Sequence, residues 1–245
     1  APNDPISVIL KAPVDLIWNG GIGTYIKASS ERHSEVGDKA NDSLRINGNE
    51  VRAKVIGEGG NLGVTQLGRI EFAEHGGAGY TDFIDNAGGV DCSDHEVNIK
   101  IMLNEVLDNG DLTRKQRNAI FMGLTDEVAQ LVLGNNYRQT QAISLAYKDC
   151  MTRLDEYSRL MKAYESQGKL NRSLEFLPDD ELLNERKNSG SGLTLPELSV
   201  LISYTKADLK EQLNCPEIHA DPYVADILKT AFPQALDERF GEQLG

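Results

Sequence analysis

Residues 85–98 hold the polar and glycine residues of this chain that are best suited to bind a ligand. Gly88 and Gly89 lack a Cβ atom, so a ligand or a neighbouring segment can approach their backbone closely. The helix predicted after them directs its free N–H groups and the positive end of its dipole at the same space. The stretch is therefore a candidate ligand-binding floor, with Asn86 and Ser93 as its polar groups.

A purely structural role of these residues is an alternative to ligand binding. Asn86 is a favourable helix-start residue, and Ser93 with Glu96 matches the S-x-x-E capping box, whose side chains bond backbone N–H groups. Asn61 follows a predicted strand and can equally be a turn residue. The pattern alone does not decide between ligand binding and capping.

Short apolar segments that run into glycine clusters precede the stretch. A strand followed by glycines is typical of the carboxyl edge of an open parallel sheet, where ligands collect. Residues 29–50 lack periodicity and are predicted to be either an excursion or a helix-loop segment. The predicted strands are 14–18 and 53–56, which lead into glycines at 19–24 and 57–61, a helix follows at 64–75, and 80–84 is predicted to be extended.

The glycine clusters do not match the dinucleotide fingerprint G-x-G-x-x-G. Counting from Gly57, Leu62 stands where the third glycine belongs, and counting from Gly21, Ile26 stands there. If a dinucleotide binds, we expect its pyrophosphate turn to lie upstream of Ala1.

The chain after residue 86 is predicted to be helical. At 137–167, seven apolar residues recur at spacings of four and three, which predicts one long helix whose apolar side packs in a core rather than a cofactor stripe. Thr113 with Gln116 and Thr194 with Glu197 form capping-box patterns. The other predicted helices are 86–107, 113–133, 179–187, 194–213 and two that open at 222 and 233.

The predicted fold class is a partial Rossmann-like α/β segment with short parallel strands, followed by a predominantly α-helical bundle. Of the 23 glycines, 15 lie between residues 19 and 89, so composition changes at the helix predicted to end near 107. We therefore expect two domains, 1–107 and 108–245.

Composition excludes several classes of function. A formal net charge of -13 argues against a nucleic-acid partner, because phosphate backbones are bound by clustered Lys and Arg. No apolar run is long enough to cross a bilayer and no signal peptide is visible, so no membrane is expected and the cytoplasm is the expected location. The three cysteines and four histidines are scattered, which predicts no metal site and no disulfide and nominates no catalytic residue.

The motifs themselves resemble those of the very large bacterial NAD-dependent glutamate dehydrogenases. The resemblance covers nearly the whole chain. It is carried by residues 14–25 (VDLIWNGGIGTY), 54–61 (KVIGEGGN) and 83–93 (FIDNAGGVDCS), and by 170–178 (LNRSLEFLP) and 192–198 (GLTLPEL) in the helical half.

The resemblance implies NAD as cofactor and a role for several residues. In such enzymes an E-G-x-N turn and an N-A-G-G-V helix start border the nicotinamide, which maps onto Asn61 and Asn86, and a serine that holds the substrate's side-chain carboxylate maps onto Ser93. Asp91 and Cys92 depart from the apolar residues usual in smaller glutamate dehydrogenases. The implied cofactor-binding set is Asn19, Gly20, Gly21, Gly59, Asn61, Asn86, Gly88 and Gly89.

The implied activity is oxidative deamination of L-glutamate to 2-oxoglutarate and ammonium by a homo-oligomeric enzyme. No segment here resembles the family's catalytic lysine and aspartate, so the chain is expected to be a fragment that alone neither turns over glutamate nor binds NAD tightly. The alternative is an interaction, oligomerisation or regulatory module, in which 137–167 is a docking helix and the glycine turns are structural.

Overall fold

The structure, a computed structural model, describes residues 4–241. None of the helices in this range is long and apolar enough to cross a bilayer. The strands are β1 (Leu16–Asn19), β2 (Ile26–Lys27), β3 (Ile46–Asn47) and β4 (Val55–Glu58), and the α-helices are α1 (Asp4–Leu10), α2 (His33–Val36), α3 (Gln66–Glu74), α4 (Asp82–Asp85), α5 (Ala87–Asp108), α6 (Arg114–Gly123), α7 (Thr125–Asp149), α8 (Leu154–Ser166), α9 (Asp180–Ser189), α10 (Leu195–Leu213), α11 (Pro216–His219), α12 (Pro222–Lys229) and α13 (Gln234–Phe240).

The strands form two small parallel sheets. β1 pairs with β4, with Leu16 opposite Val55 and Asn19 opposite Glu58, and β2 pairs with β3. Because paired parallel strands run the same way, the loops after β1 and β4 leave from the same edge of their sheet. The predicted short parallel strands and the helical character of the later chain are confirmed.

The extended segment predicted at 80–84 is wrong. Residues Asp82–Asp85 form helix α4 instead. Thr81 has the extended backbone of a helix N-cap, and both acidic residues of the helix lie in its first turn, where they interact favourably with the helix dipole. The apolar residues of this short segment concealed that helix-start signal.

The excursion at 29–50 is ordered by a buried arginine rather than by an apolar pattern. It contains α2, β3 and two short 3₁₀ turns, Lys39–Asn41 and Gly48–Glu50. The side chain of Arg45 is fully buried; it donates to the backbone oxygen of Thr24 at 2.7 Å and to the carboxylate of Asp42 at 2.7 Å. Hydrogen bonds and ion pairs of a single buried arginine produce no periodic pattern in the sequence, so the order of this segment could not be predicted from periodicity.

The single helix predicted at 137–167 is wrong, because the chain turns between α7 and α8. There the buried thiol of Cys150 accepts the backbone N–H of Leu193 at 3.0 Å, and a Cβ on Gly192 would lie 3.1 Å from the same sulfur. A later loop therefore occupies the break. The apolar periodicity still predicted the core, since Ile143, Cys150, Leu154, Met161 and Tyr164 are all buried.

The helix predicted at 113–133 is also divided. Its capping box is confirmed, with Thr113 and Gln116 bonded to each other's backbone N–H groups. The break falls at Leu124, which is buried in a core cluster between α6 and α7. The capping pair at Thr194 likewise starts α10, where Glu197 accepts the Thr194 N–H at 2.6 Å.

The described residues divide into two compact units, 4–86 with 139–207, and 87–138 with 208–241. These units do not coincide with the predicted domains 1–107 and 108–245, which also include residues 1–3 and 242–245 outside the described range. The prediction followed glycine content along the chain, whereas compactness follows side-chain packing between distant segments. As a division of function, the predicted domains stay a prediction.

Each unit has its own apolar core. In the first unit one cluster surrounds the strands, and another joins α4 and the later part of α7 to the helices that follow. In the second unit α5 supplies the centre. The three clusters include Ile26, Ile46, Ile56, Val64 and Phe72; then Ile84, Ile143, Met161, Leu193 and Leu198; and then Ile99, Leu103, Val106, Leu124 and Leu236.

Replacing Leu103 by Ala should lower the free energy of unfolding by about 2–5 kcal/mol, because its side chain is fully buried and leaves a cavity. The matched control is Leu133→Ala in the same unit, where the leucine is 61% exposed and the change should stay within about 0.5 kcal/mol. Urea denaturation measures both. Equal effects of the two changes would contradict the assignment of α5 to the core.

Candidate functional site

The loops that follow β1 and β4 meet at the carboxyl edge of their sheet. The backbone oxygen of Asn19 accepts hydrogen bonds from the N–H groups of Gly59, at 2.9 Å, and Gly60, at 3.1 Å. A Cβ atom on Gly60 would overlap the carbonyl oxygen of Gly21. The structure therefore brings the two predicted glycine clusters into direct contact.

Asn61 and Asn86, predicted from separate motifs, form a side-chain pair at this edge. The Nδ2 atom of Asn86 donates to Oδ1 of Asn61 at 2.6 Å and to the backbone oxygen of Gly60 at 3.3 Å. Among the hydrogen bonds of the described residues, none uses Nδ2 of Asn61 or Oδ1 of Asn86. The pair thus offers one donor group and one acceptor, the complement of a primary carboxamide.

The glycines of this edge differ in what occupies the space beside them, where another residue would have its side chain. A Cβ on Gly59 would lie 2.5 Å from the Trp18 ring, so this glycine accommodates a residue of the chain itself. Gly20 and Gly21 are exposed, and no other atom lies within 4 Å of the position of a Cβ on Gly21. The open space at this edge therefore lies next to Gly20 and Gly21, in the loop after β1.

The side chain of Asn19 lies against Gly63. Its Nδ2 atom is buried without a hydrogen-bond partner among the described residues, and a Cβ on Gly63 would overlap it. Asn19 contributes its backbone oxygen to the contact between the loops. Its predicted part in cofactor binding stays a prediction.

A buried ion cluster, which the sequence did not reveal, lies beneath the turn after β4. Arg69 of α3 donates from Nε to Glu58 at 2.6 Å and from Nη2 to the same carboxylate at 3.0 Å. Its Nη2 also lies 3.1 Å from Oδ1 of Asp82 in α4. Glu58 is only 1% exposed and was visible in the sequence merely as part of a glycine-rich turn.

Asp85, the residue before Asn86, completes the charged surroundings of this turn. Its Oδ2 atom accepts the backbone N–H of Glu58 at 2.9 Å. Burial is the main reason why the pKa of Asp85 is raised to about 6. The Glu58 N–H and Arg69 act to lower this pKa, and the carboxylates of Glu58 and Asp82 act to raise it.

Gly88, Gly89 and Ser93 lie on α5, in the other compact unit. A Cβ on Gly88 would lie 3.3 Å from Nδ2 of Asn136, so this glycine lets α5 approach α7, whereas Gly89 faces open space. Ser93 is exposed in the second turn of the helix, which begins at Ala87. The capping interpretation of Ser93 is therefore wrong, since the helix starts six residues earlier and its first free N–H groups lie there.

Glu96, the other half of that supposed capping box, pairs instead with Lys100 one turn later on the helix. Within residues 4–241, no group of three or more His, Cys, Asp and Glu side chains is placed to hold a metal ion.

Comparisons with known proteins agree with the motifs. Residues 1–146 match the family model described as bacterial NAD-glutamate dehydrogenase, catalytic domain. The chain belongs to this family. Residues 190–245 match a second model, described as glutamate dehydrogenase, C-terminal.

Relatives named NAD-specific glutamate dehydrogenase are similar to this chain along the whole length of the chain. The chain is 63% identical to the one from Pseudomonas aeruginosa, 53% to that of Halomonas elongata and 47% to that of Mycobacterium tuberculosis, in each case over 244 residues. It spans 15% of the length of each of these relatives.

Replacing Asp85 by Asn should stabilise the protein above pH 6 but not at pH 4. The folded pKa of about 6 lies above the value of about 3.9 for unfolded Asp, so the wild type loses stability as pH rises from about 4 to 6. The variant carries no charge to bury. Its advantage in free energy of unfolding should therefore grow across that window to about 1–3 kcal/mol and then level off.

Urea denaturation at pH 4 to 8 measures this advantage. Asp155→Asn is the matched control, because Asp155 is exposed and its pKa is lowered by a hydrogen bond from Lys187. The control should show no growing advantage between pH 4 and 6. A constant difference between wild type and Asp85→Asn at all pH values would contradict the assignment.

Proposed function

We propose that this chain is part of an enzyme that oxidises L-glutamate to 2-oxoglutarate and ammonium, with NAD as the hydride acceptor. The observation that carries the proposal is the paired amides of Asn61 and Asn86 at the carboxyl edge of a parallel pair of strands. Family membership supplies the reaction. In this proposal β1 and β4 belong to a Rossmann-like cofactor domain, whose other strands come from elsewhere in the full-length enzyme.

The residues at the edge fit the nicotinamide end of the cofactor. A carboxamide has an N–H₂ group to donate and an oxygen to accept, and the pair has Oδ1 of Asn86 and Nδ2 of Asn61 free for them. The open backbone at Gly20 and Gly21 permits close approach of the same ligand. When bound, NAD supplies the hydride acceptor, and these residues orient its ring.

Ser93 is proposed to bind the side-chain carboxylate of the substrate. Its hydroxyl is exposed on α5 and makes no hydrogen bond to another described residue, so it is available to an external anion. The hydroxyl can donate to a carboxylate oxygen, and a bond of this charged kind is stronger than one between neutral groups. Gly88 and Gly89 are proposed to allow approach to the start of the same helix.

No residue of this chain is assigned to proton transfer. We propose that the catalytic lysine and aspartate of the family lie in other parts of the full-length enzyme, and that the 245 residues alone do not turn over glutamate. L-Glutamate and 2-oxoglutarate are the proposed partners of the whole enzyme, and homo-oligomerisation stays a prediction.

The rival interpretation as a docking module loses its main support. It took the single helix predicted at 137–167 as a docking or oligomerisation surface. That segment contains a break, and Ile143, Cys150 and Met161 from its apolar side are almost completely buried in the first unit's own core. These apolar residues therefore pack within the fold and are not available to a partner.

Replacing Asn86 by Ala in the full-length enzyme should raise KM for NAD about 10-fold or more, because both the contact to Asn61 and one group for the carboxamide are lost. Steady-state kinetics with NAD varied at saturating glutamate measures the change. Asn188→Ala on α9 is the control, because Asn188 is exposed and distant in sequence from every predicted site residue. An unchanged KM in Asn86→Ala would contradict the proposed cofactor site.

Replacing Ser93 by Ala should raise KM for glutamate by about 10- to 100-fold, which corresponds to about 1.5–3 kcal/mol for a hydrogen bond to a charged group. Stability should change little, since the residue is exposed in a helix and Ala is favourable there. Kinetics with glutamate varied and urea denaturation of the same variant separate the two effects. A loss of stability without a change in KM would favour a structural role.

A further inference from the structure

The turn at 58–64, which carries Asn61, contains a residue in a strained backbone conformation. Leu62 has φ +56°, in the left-handed region that residues with a Cβ atom rarely adopt. Its side chain is 61% exposed, so packing of the leucine does not account for the conformation. Strain of this kind persists only when surrounding contacts impose it, and it clusters at functional sites.

Two buried side chains impose it from opposite sides of the residue. The backbone N–H of Leu62 donates to Oδ2 of Asp82 at 2.8 Å, and its backbone oxygen accepts the hydroxyl of Thr24 at 2.6 Å. Thr24 is 7% exposed and Asp82 is 9% exposed. Both peptide groups of the strained residue are therefore bonded to groups that cannot move freely.

Asp82 is itself held in place by the buried ion cluster. Its second oxygen, Oδ1, lies 3.1 Å from Nη2 of Arg69, which also binds Glu58. Glu58 accepts the backbone N–H of Val64 at 2.9 Å, at the end of the same turn. The cluster thus joins the beginning, middle and end of the turn to α3 and α4.

Leu62 directly follows Asn61, so its φ sets the path by which the chain leaves that residue. With the turn in this path, Oδ1 of Asn61 reaches Nδ2 of Asn86 at 2.6 Å. An ordinary φ at Leu62 would redirect the turn and break one or both of its bonds to Asp82 and Thr24.

We propose that Asp82 is a positioning residue for the cofactor site: it holds Leu62 in the left-handed conformation and thereby fixes Asn61 against Asn86. This inference rests on the proposed function, in which those two asparagines bind the nicotinamide carboxamide. Asp82 acts through Leu62 rather than on the cofactor, so its loss should weaken NAD binding more than it slows turnover.

The test is a double-mutant cycle in the full-length enzyme, with Asp82→Asn, Leu62→Gly and the combination. Asp82→Asn removes the charge and leaves one acceptor oxygen for two donors, the Leu62 N–H and Arg69. The bond that holds Leu62 is therefore weakened or lost, and the Kd for NAD should rise about 5- to 10-fold with kcat nearly unchanged. Glycine adopts a positive φ without strain. Leu62→Gly should therefore restore much of the affinity lost in Asp82→Asn, which gives a non-additive cycle.

The matched control is Phe176→Gly, placed in the Asp82→Asn background. Phe176 is the other non-glycine residue with positive φ in the described part of the chain, at +54°, and it lies in the segment that connects α8 and α9. Relief of strain there should restore no affinity for NAD. Restoration by both glycines would show a general gain in stability and overturn the proposal.

Thr24→Val provides a second test that leaves Arg69 untouched, should Asp82→Asn fold poorly. It removes the hydroxyl bonded to Leu62 and should raise the Kd for NAD in the same direction by a smaller factor. Amide hydrogen exchange of residues 58–64 without cofactor should be faster in both variants than in the wild type. Wild-type exchange and wild-type affinity in both variants would overturn the proposal.

Hydrogen exchange also separates this inference from the proposed function. A wild-type enzyme that binds no NAD would refute the cofactor site. Faster exchange at 58–64 in Asp82→Asn, reversed by Leu62→Gly, would still establish that Asp82 holds the turn, and unchanged exchange would overturn that part independently.

Discussion

A guanidinium buried between two carboxylates is the interaction on which the candidate site depends. Removing charges from water costs several kcal/mol per ion, so such a cluster persists only when every oxygen is paired. Arg69 pairs with Glu58 and Asp82, and the backbone N–H groups of Leu62 and Val64 complete the pairing. Moving the turn would leave buried charges without partners, which is why a turn at the edge of a small sheet is held in one conformation.

The two compact units are stabilised by different kinds of contact. In the second unit α5 buries an apolar side, with Ile99, Leu103 and Val106 almost fully covered, as a periodic helix normally does. In the α/β part of the first unit, buried arginines at 45 and 69 organise the loops around short strands. The polar groups proposed to bind ligands thus lie on loops that are held in place by an apolar core and by buried ion pairs. Binding residues are commonly found on loops that a rigid scaffold positions.

Sequence reasoning worked where a structure depends on neighbouring residues. Glycines after an apolar run placed the loops of β1 and β4 at one edge, and the capping pair at Thr113 marked the start of α6. It did not work at 150–153, where periodicity continues but the helix stops, because the loop at Gly192 packs against Cys150 from 42 residues later in the chain. The hydrophobic pattern predicts which side of a segment is buried. Where this segment turns depends on its contact with a loop that lies later in the chain.

By itself the sequence determined the family, the parallel strands with their glycine turns, and the candidate ligand-binding asparagines Asn61 and Asn86. These follow from motifs and from the period of apolar residues, both of which are local. Only the tertiary structure decided that Asn86 bonds Asn61, that the chain turns between α7 and α8, and that Leu62 is held in a strained conformation. The physical reason is separation along the chain, since Leu62 is bonded to residues 20 and 38 positions away. Hydrogen bonds of this kind between buried polar groups produce no periodic pattern from which a sequence could predict them.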